Sequence, residues 1–121
     1  MNPELKQDFE TAMVKHLLFK SKLRSFLYGT NLAEGPIRNP DQCGLGIWIQ
    51  SRRQRFAGNL PEWAELDRIH RQLHLEANRL MDMRLQGHAE AAIAGMDDIK
   101  YLVDQVTALL RTLEDKLRTG R

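Results

Sequence analysis

The sequence contains very little cysteine and few aromatic residues. Cys43 is the single cysteine among 121 residues, and Phe, Trp and Tyr together make up 7%. One cysteine cannot form an internal disulfide, which excludes a disulfide-stapled secreted domain, and we expect a reducing, cytoplasmic setting. In such a setting a cysteine is more often a metal ligand or a redox group than a cross-link.

An excess of charge of one sign is also missing. The chain has 18 Lys and Arg against 16 Asp and Glu, so its net charge is only +2. This balance is too small to predict nucleic-acid binding. Arg52, Arg53 and Arg55 do cluster locally. We interpret them as a solvated helix face, with a phosphate-binding patch as the alternative.

Long hydrophobic runs and targeting signals are missing as well. No apolar run is long enough to cross a bilayer, and the N-terminus lacks the charged and apolar regions of a signal peptide. The sequence shows no repeat, no low-complexity tract and no strand-like alternation of apolar and polar residues. We therefore expect one all-α domain over residues 1–121, without membrane insertion.

Helical periodicity and turn formers divide the first half of the chain. The first helix is predicted from about Pro3 to Tyr28. Residues 29–42 are dense in glycine, proline and asparagine, and predict a loop. Asp41 is expected to cap a short helix that ends near Phe56.

The second half is predicted to hold two long helices. One starts after a turn at residues 58–61 and ends at residues 86–88. The last carries an apolar stripe with the four-three alternation of a coiled coil: Ala92, Met96, Ile99, Val103, Val106, Leu110, Leu113 and Leu117. Leu102 and Leu109 widen this stripe, so we expect contacts with more than one neighbour. The predicted fold is an antiparallel four-helix-type bundle with one short irregular helix that carries the cysteine.

Three of the four histidines interrupt apolar stripes. His16 lies on the apolar face of the first helix, and His70 and His74 are one turn apart on the third. Two histidines at this spacing can chelate a metal ion, but they can also form a hydrogen-bonded polar layer. His16 alone could be a satisfied core histidine. His88 follows Gly87 in a predicted turn and is expected at the surface.

Cys43 supplies a fourth donor near the start of the short helix. There, free N–H groups and the helix dipole favour a thiolate. Gly44 and Gly46 are poor helix formers that would let the backbone bend close to a site. Taken alone, Cys43 could equally be a small buried hydrophobic residue.

Together, one thiolate and three imidazoles form a complete tetrahedral ligand set for Zn²⁺. Three buried imidazoles without partners would cost roughly 1–3 kcal/mol each, whereas a structural zinc contributes about 10–16 kcal/mol. The combination therefore favours a zinc site formed by His16, Cys43, His70 and His74.

Catalysis finds little support in the sequence. A di-iron bundle needs paired Glu-x-x-His segments, and the nearest match is a single Asp67-x-x-His70. A zinc hydrolase needs an open coordination position, which Cys43 would close as the fourth ligand. Phosphate-loop and serine-nucleophile motifs are missing. We predict that the protein is not an enzyme and has no catalytic residues.

These residues resemble the chemoreceptor zinc-binding (CZB) domain family. The motifs are His16 to Lys20, Cys43 to Trp48 and the pair His70 and His74, in the family's order and approximate spacing. Phe19 stands where the family commonly has tryptophan, and this departure should affect packing more than ligation. The resemblance implies a homodimeric helical bundle that binds one zinc ion through His16, Cys43, His70 and His74.

The resemblance also implies a sensory or regulatory role. Members are commonly fused to bacterial chemoreceptors or diguanylate cyclases, where zinc occupancy or oxidation of the zinc-bound cysteine is thought to alter the output domain. This chain carries no such segment, so we expect it either to act on a chemoreceptor or cyclase in trans or to be a piece of a longer protein. The alternative is a structural, zinc-stabilised dimerisation module without a sensory role.

Overall fold

The computed structural model describes residues 3–30, 33–55 and 59–119, with side chains from residue 5 onward. Within these residues it contains six helices and no strand: α1 (Pro3–Leu27), α2 (Gly35–Arg38), α3 (Gly44–Arg55), α4 (Pro61–Leu85), α5 (Ala89–Ala94) and α6 (Met96–Thr119). The prediction of an all-α fold is confirmed. None of these helices is long and apolar enough to cross a membrane.

An aromatic cluster holds α1, α3 and α4 together. Phe9 of α1 meets Trp48 of α3 edge-on, with ring centroids 5.0 Å apart, and Trp63 of α4 lies 5.9 Å from Trp48. Phe9 meets Trp63 near the starts of α1 and α4, and Phe19 meets His74 further along both helices, so α1 and α4 run in the same direction. Arg52, near the end of α3, pairs with Asp8, near the start of α1, so α3 runs the opposite way.

α6 closes the bundle by running back along α4 and α1. Lys116 near its end forms an ion pair with Glu62 at the start of α4, which makes these helices antiparallel. The apolar stripe of α6 faces the bundle core. Its buried residues are Ile99, Leu102, Val103, Val106, Leu110 and Leu113. Contact with more than one neighbour is confirmed, and these heptad positions serve the intramolecular core.

The predicted loop and the start of the short helix need correction. The loop contains the short helix α2, with Pro36 in its first turn. α3 begins at Gly44, so Cys43 rather than Asp41 precedes it. Asp41 does not cap α3, because its carboxylate pairs with Arg71 and its N–H bonds the Asn39 side chain. The expected helix end at Phe56, and Gly58 of the next turn, lie outside the described residues.

The predicted last helix is two helices. Ala92 lies in α5, and Gly95 separates α5 from α6. The N–H of Gly95 bonds the carbonyls of Ala91 and Ala92, which ends α5. Gly95 also packs so closely on α4 that an added Cβ would lie 2.4 Å from Leu80 Cδ2. The break therefore allows a close approach between the two segments.

The basic cluster of α3 is engaged with carboxylates. Arg52 donates two hydrogen bonds to Asp8, at 2.6 and 2.8 Å. Arg53 lies 3.9 Å from an oxygen of Asp67 on α4. These pairs join the helices and leave Arg52 and Arg53 poorly placed to bind phosphate.

Candidate metal centre

α4 directs two imidazoles into the centre of the bundle. His70 and His74 are each 1% exposed and lie on the same face as the core residues Leu66, Leu73 and Ala77. Their rings are nearly perpendicular, with the two Nε2 atoms 3.1 Å apart. The helical spacing of four residues therefore brings the two histidines together as the sequence predicted.

The short helix α2 fixes the orientation of His74. The Nδ1–H of His74 donates to the carbonyl of Ile37 at 2.6 Å. The neutral ring consequently presents the lone pair of Nε2 toward His70. A histidine that donates one ring N–H to a carbonyl and offers the other nitrogen is the usual arrangement of a metal ligand.

Cys43 lies in the turn before α3, and its side chain approaches the rings of His70 and His74. Its side chain is 4% exposed, and its Sγ and one ring nitrogen from each of His70 and His74 lie within 4.8 Å of one another. Its place directly before the first residue of α3 is one where the helix dipole favours a negative charge. The structure thus assembles a thiol and two imidazoles in one buried cluster.

Gly46 lets α3 approach the site. A Cβ on Gly46 would lie 1.8 Å from the carbonyl oxygen of Pro40 and 3.0 Å from Cε1 of His70. A Cβ on Gly44 would meet only the flexible Lys15 side chain, at 3.4 Å. The expected role of glycine in a close approach therefore holds for Gly46 and is unnecessary at Gly44.

His16 faces the interior from α1 and is 1% exposed. Its Nε2–H donates to the carbonyl of Val103 on α6 at 3.1 Å. Its Nδ1 is buried and has no hydrogen-bond partner among the residues that the structure describes. His16 is not part of the three-residue cluster, so its role as a fourth ligand stays a prediction.

Burial keeps all three imidazoles neutral. It lowers the pKa of His70 to about 3, with further lowering from the nearby His74 and His16. Burial lowers the pKa of His74 to about 4, although the bond to Ile37 opposes this. The pKa of His16 is also lowered, chiefly by burial, against the effect of the Val103 carbonyl. Neutral imidazole is the form that binds metal, so protons compete little at neutral pH.

The arrangement fits a zinc ion on chemical grounds. Thiolate and imidazole donors suit zinc, and the unpartnered Nδ1 of His16 is a buried lone pair that a cation would satisfy. Both His16 and His74 have their other ring nitrogen fixed by a backbone carbonyl. His88 is exposed, as the sequence predicted, and contributes nothing here.

A polar clamp that sequence reasoning missed holds α2 in place. The amide of Asn78 donates to the Arg38 carbonyl at 2.9 Å and accepts from the Arg38 guanidinium at 3.2 Å. The same guanidinium pairs with Glu34 and Asp82. Since Arg38 directly follows Ile37, the clamp fixes the carbonyl that holds His74. The available signal was an asparagine one helical turn after His74, on the histidine side of α4.

A small cavity adjoins Cys43. It has a volume of about 170 Å³ and lies between α1, α2 and the start of α3. Phe19 lines it and also packs on the His74 ring, with centroids 4.6 Å apart. Phe19 therefore packs against a candidate ligand, and the expectation that its departure from tryptophan affects packing more than ligation stays a prediction.

Comparison with known proteins also indicates a zinc-binding domain. The family model described as chemoreceptor zinc-binding domain matches residues 16–81, more than half of the chain. The matched segment starts at His16 and includes Cys43, His70 and His74. Neither the comparison with curated proteins nor the one with solved structures found a match.

Proposed function

The chain belongs to the chemoreceptor zinc-binding domain family, and we propose that it is a regulatory domain that binds one zinc ion and modulates a partner protein. The observation that carries the proposal is the buried cluster of Cys43, His70 and His74. We propose His16 as the fourth ligand, because its Nδ1 is buried without a partner while its Nε2 is fixed by Val103.

The proposed ligands connect three helices of the bundle. His16 belongs to α1, Cys43 precedes α3, and His70 and His74 belong to α4. A shared ion would add strong bonds between segments that otherwise meet through apolar packing and the ion pairs of Arg52 and Arg53. Loss of the sulfur ligand would free the start of α3, and so change the surface that α1, α2 and α3 present to a partner.

An oxidant could act on the same bond. A thiolate that attacks hydrogen peroxide forms an S–O bond and releases hydroxide, which gives a sulfenic acid. The oxidised sulfur is a poorer ligand, so zinc would be held less tightly. The setting we propose is the cytoplasm, and the output is a chemotaxis or cyclic-di-GMP pathway regulated through a chemoreceptor or diguanylate cyclase in trans.

Metal analysis tests the ligand set. We expect one equivalent of zinc per chain after metal-replete purification, and a thiolate-to-cobalt charge-transfer band when Co²⁺ replaces zinc. Cys43→Ser should abolish that band, and His16→Ala should weaken zinc binding at least about tenfold. His88→Ala is the matched control, because His88 is exposed and should leave both readouts unchanged.

Two results would contradict the proposal. One is less than about half an equivalent of zinc in the wild-type protein, unchanged by Cys43→Ser. The other is a His16→Ala variant with wild-type zinc affinity, which would remove His16 from the ligand set and leave a three-ligand site.

A structural, zinc-stabilised dimerisation module is the second candidate. The described apolar stripe of α6 is occupied inside the chain, so a dimer would use another face. Chelation separates the two functions, followed by circular dichroism and sedimentation. A regulatory domain should stay folded with an altered surface or assembly, whereas a purely structural site should unfold when zinc is removed.

A further inference from the structure

The outward face of α1 is apolar at its centre and carries no negative charge along much of its length. Val14, Leu17 and Leu18 are 54%, 59% and 52% exposed, on the side opposite the buried His16. Residues 11–28 contain four cations and no Asp or Glu. For a helix in a protein of net charge +2, this is a strong local imbalance.

The four cations flank the apolar centre on both sides. Lys15 and Lys22 line the cavity of about 170 Å³ toward α2 and α3. Lys20 and Arg24 line a second cavity, of about 250 Å³, toward α5 and α6. We call the apolar centre with these flanks the α1 surface: Val14, Lys15, Leu17, Leu18, Lys20, Ser21, Lys22, Arg24, Ser25 and Tyr28.

Carboxylate partners are missing among the described residues for the cations of the α1 surface, although the Arg24 guanidinium lies 5.8 Å from the centroid of the Tyr28 ring. Within the described part of the chain, none of the four forms an ion pair, whereas Arg38, Arg52 and Arg71 each pair with carboxylates. Lys100 adds a fifth positive charge at the second cavity, and Asp97 is the one carboxylate among the described residues that line either cavity. The field over this surface is therefore positive and unbalanced.

We infer that the α1 surface binds an amphipathic helix of another protein, with an apolar stripe flanked by Asp and Glu. The apolar centre would meet the stripe, and the cations on both sides would meet the acidic flanks. Ser21 and Ser25 continue the row beyond Leu18 with small side chains, which allow a facing helix to approach closely. From Val14 to Tyr28 the surface is about 21 Å long, which suits a partner helix of four turns.

Two other occupants fit this surface less well. A second copy of α1 would oppose four cations with four cations, and nothing on the surface would offset their repulsion. A membrane would need a larger apolar face, but the row turns polar at Ser21 and Ser25 before Tyr28. The inference goes beyond the proposed zinc site and does not require it, since none of these side chains is a proposed zinc ligand.

Designed peptides test this inference on the whole protein. The probe is a stapled helical peptide of about 18 residues, with leucine along one face and glutamate beside it. Its matched control has lysine in place of each glutamate. We expect the glutamate peptide to bind at least about tenfold more tightly, and to weaken as ionic strength rises from about 0.05 to 0.5 M.

Variants locate the binding. Leu17→Ser with Leu18→Ser should weaken the glutamate peptide at least about tenfold, and Lys20→Glu with Lys22→Glu, which leaves Lys15 and Arg24 against two new carboxylates, should abolish the preference for the glutamate peptide. The control combines Lys6→Glu with Leu75→Ser, two exposed residues outside the α1 surface, and should bind as wild type. Circular dichroism confirms that each variant is folded.

Three outcomes would overturn the inference. The first is equal affinity for both peptides, or binding that the serine variant leaves unchanged. The second is tighter association with vesicles containing anionic phospholipid than with the glutamate peptide, lost in the same variant, which would assign the surface to a membrane. The third is a change of oligomeric state in that variant, which would assign the surface to a second copy. Repeating the binding after chelation separates this result from any failure of the zinc proposal.

Discussion

Replacing Gly46 with alanine should damage the metal centre without removing any ligand. The added Cβ would lie 1.8 Å from the Pro40 carbonyl oxygen, which is a backbone atom and cannot rotate away. It would also lie 3.0 Å from Cε1 of His70. The start of α3 must therefore move away from both the preceding loop and α4.

The size of the effect follows from this geometry. Restoring an ordinary contact of 3.4 Å with the Pro40 oxygen requires a shift of about 1.6 Å. Overpacking in a buried region costs about 1–3 kcal/mol, which lowers the melting temperature by roughly 4 °C for each kcal/mol. Metal–ligand distances tolerate about 0.2 Å, so a shift of this size near Cys43 should lower zinc affinity at least about tenfold.

Gly44→Ala is the matched comparison. Its Cβ would meet only the Lys15 side chain at 3.4 Å, and alanine favours a helix over glycine by up to about 1 kcal/mol. We expect wild-type zinc affinity and equal or slightly higher stability. Competition with a zinc-binding dye and urea unfolding measure both variants. If Gly46→Ala matches Gly44→Ala in both assays, the close approach of α3 to Pro40 and His70 does not define the site.

Three further changes probe the surroundings of the site. Asn78→Ala removes both hydrogen bonds to Arg38 and should weaken zinc binding about tenfold in a dye competition, through the Ile37 carbonyl that holds His74. In the metal-free protein, the pKa of His70 (about 3) and of His74 (about 4) lie below the unfolded value of 6.5, so the unfolded state binds more protons as the pH falls. Stability should be complete above pH 6.5 and decrease by about 1.4 kcal/mol per pH unit for each histidine down to its folded pKa, as measured by urea unfolding. Asp8→Asn should cost about 1 kcal/mol in urea unfolding without changing zinc affinity, because it weakens the ion pair to Arg52 and touches none of the proposed ligands.

A specific result would contradict each of these three predictions. Wild-type zinc affinity in Asn78→Ala would show that α2 does not orient His74. Metal-free stability that is flat between pH 7 and pH 5 would show that the histidines are not held neutral by burial. A loss of zinc affinity in Asp8→Asn equal to that in Asn78→Ala would mean that both act by general destabilisation.

The inward orientation of His70 and His74 could be predicted from the sequence, because it follows from their spacing on a helix. His70 and His74 interrupt an apolar stripe at intervals of three and four, so any packing of α4 turns them inward. Cys43 could be placed near the start of a helix by the turn formers before it, although Asp41 was the wrong cap. Periodicity specifies which face of a helix is buried, and that was sufficient here.

The outer supports of the site could not be predicted for a physical reason. Ile37 and Val103 hold His74 and His16 through backbone carbonyls. Every residue has such a carbonyl, so the residue types at positions 37 and 103 do not predict these hydrogen bonds. Gly44 and Gly46 looked equivalent in the sequence, and only the tertiary position of the Pro40 carbonyl distinguishes them. Such features depend on how separate segments meet rather than on the pattern within one segment.

α1 connects the proposed metal centre with the proposed partner-binding surface. His16 and Phe19 face the centre of the bundle, while Val14, Leu17 and Leu18 face outward within the same two turns. A rigid helix cannot shift its inner face without shifting its outer face, because the two are joined by one backbone. A change at the metal centre that moves His16 must therefore move the α1 surface as well. If zinc occupancy changes the affinity of the α1 surface for its partner, the bound partner must change the zinc affinity by the same factor, since linkage between two sites is reciprocal.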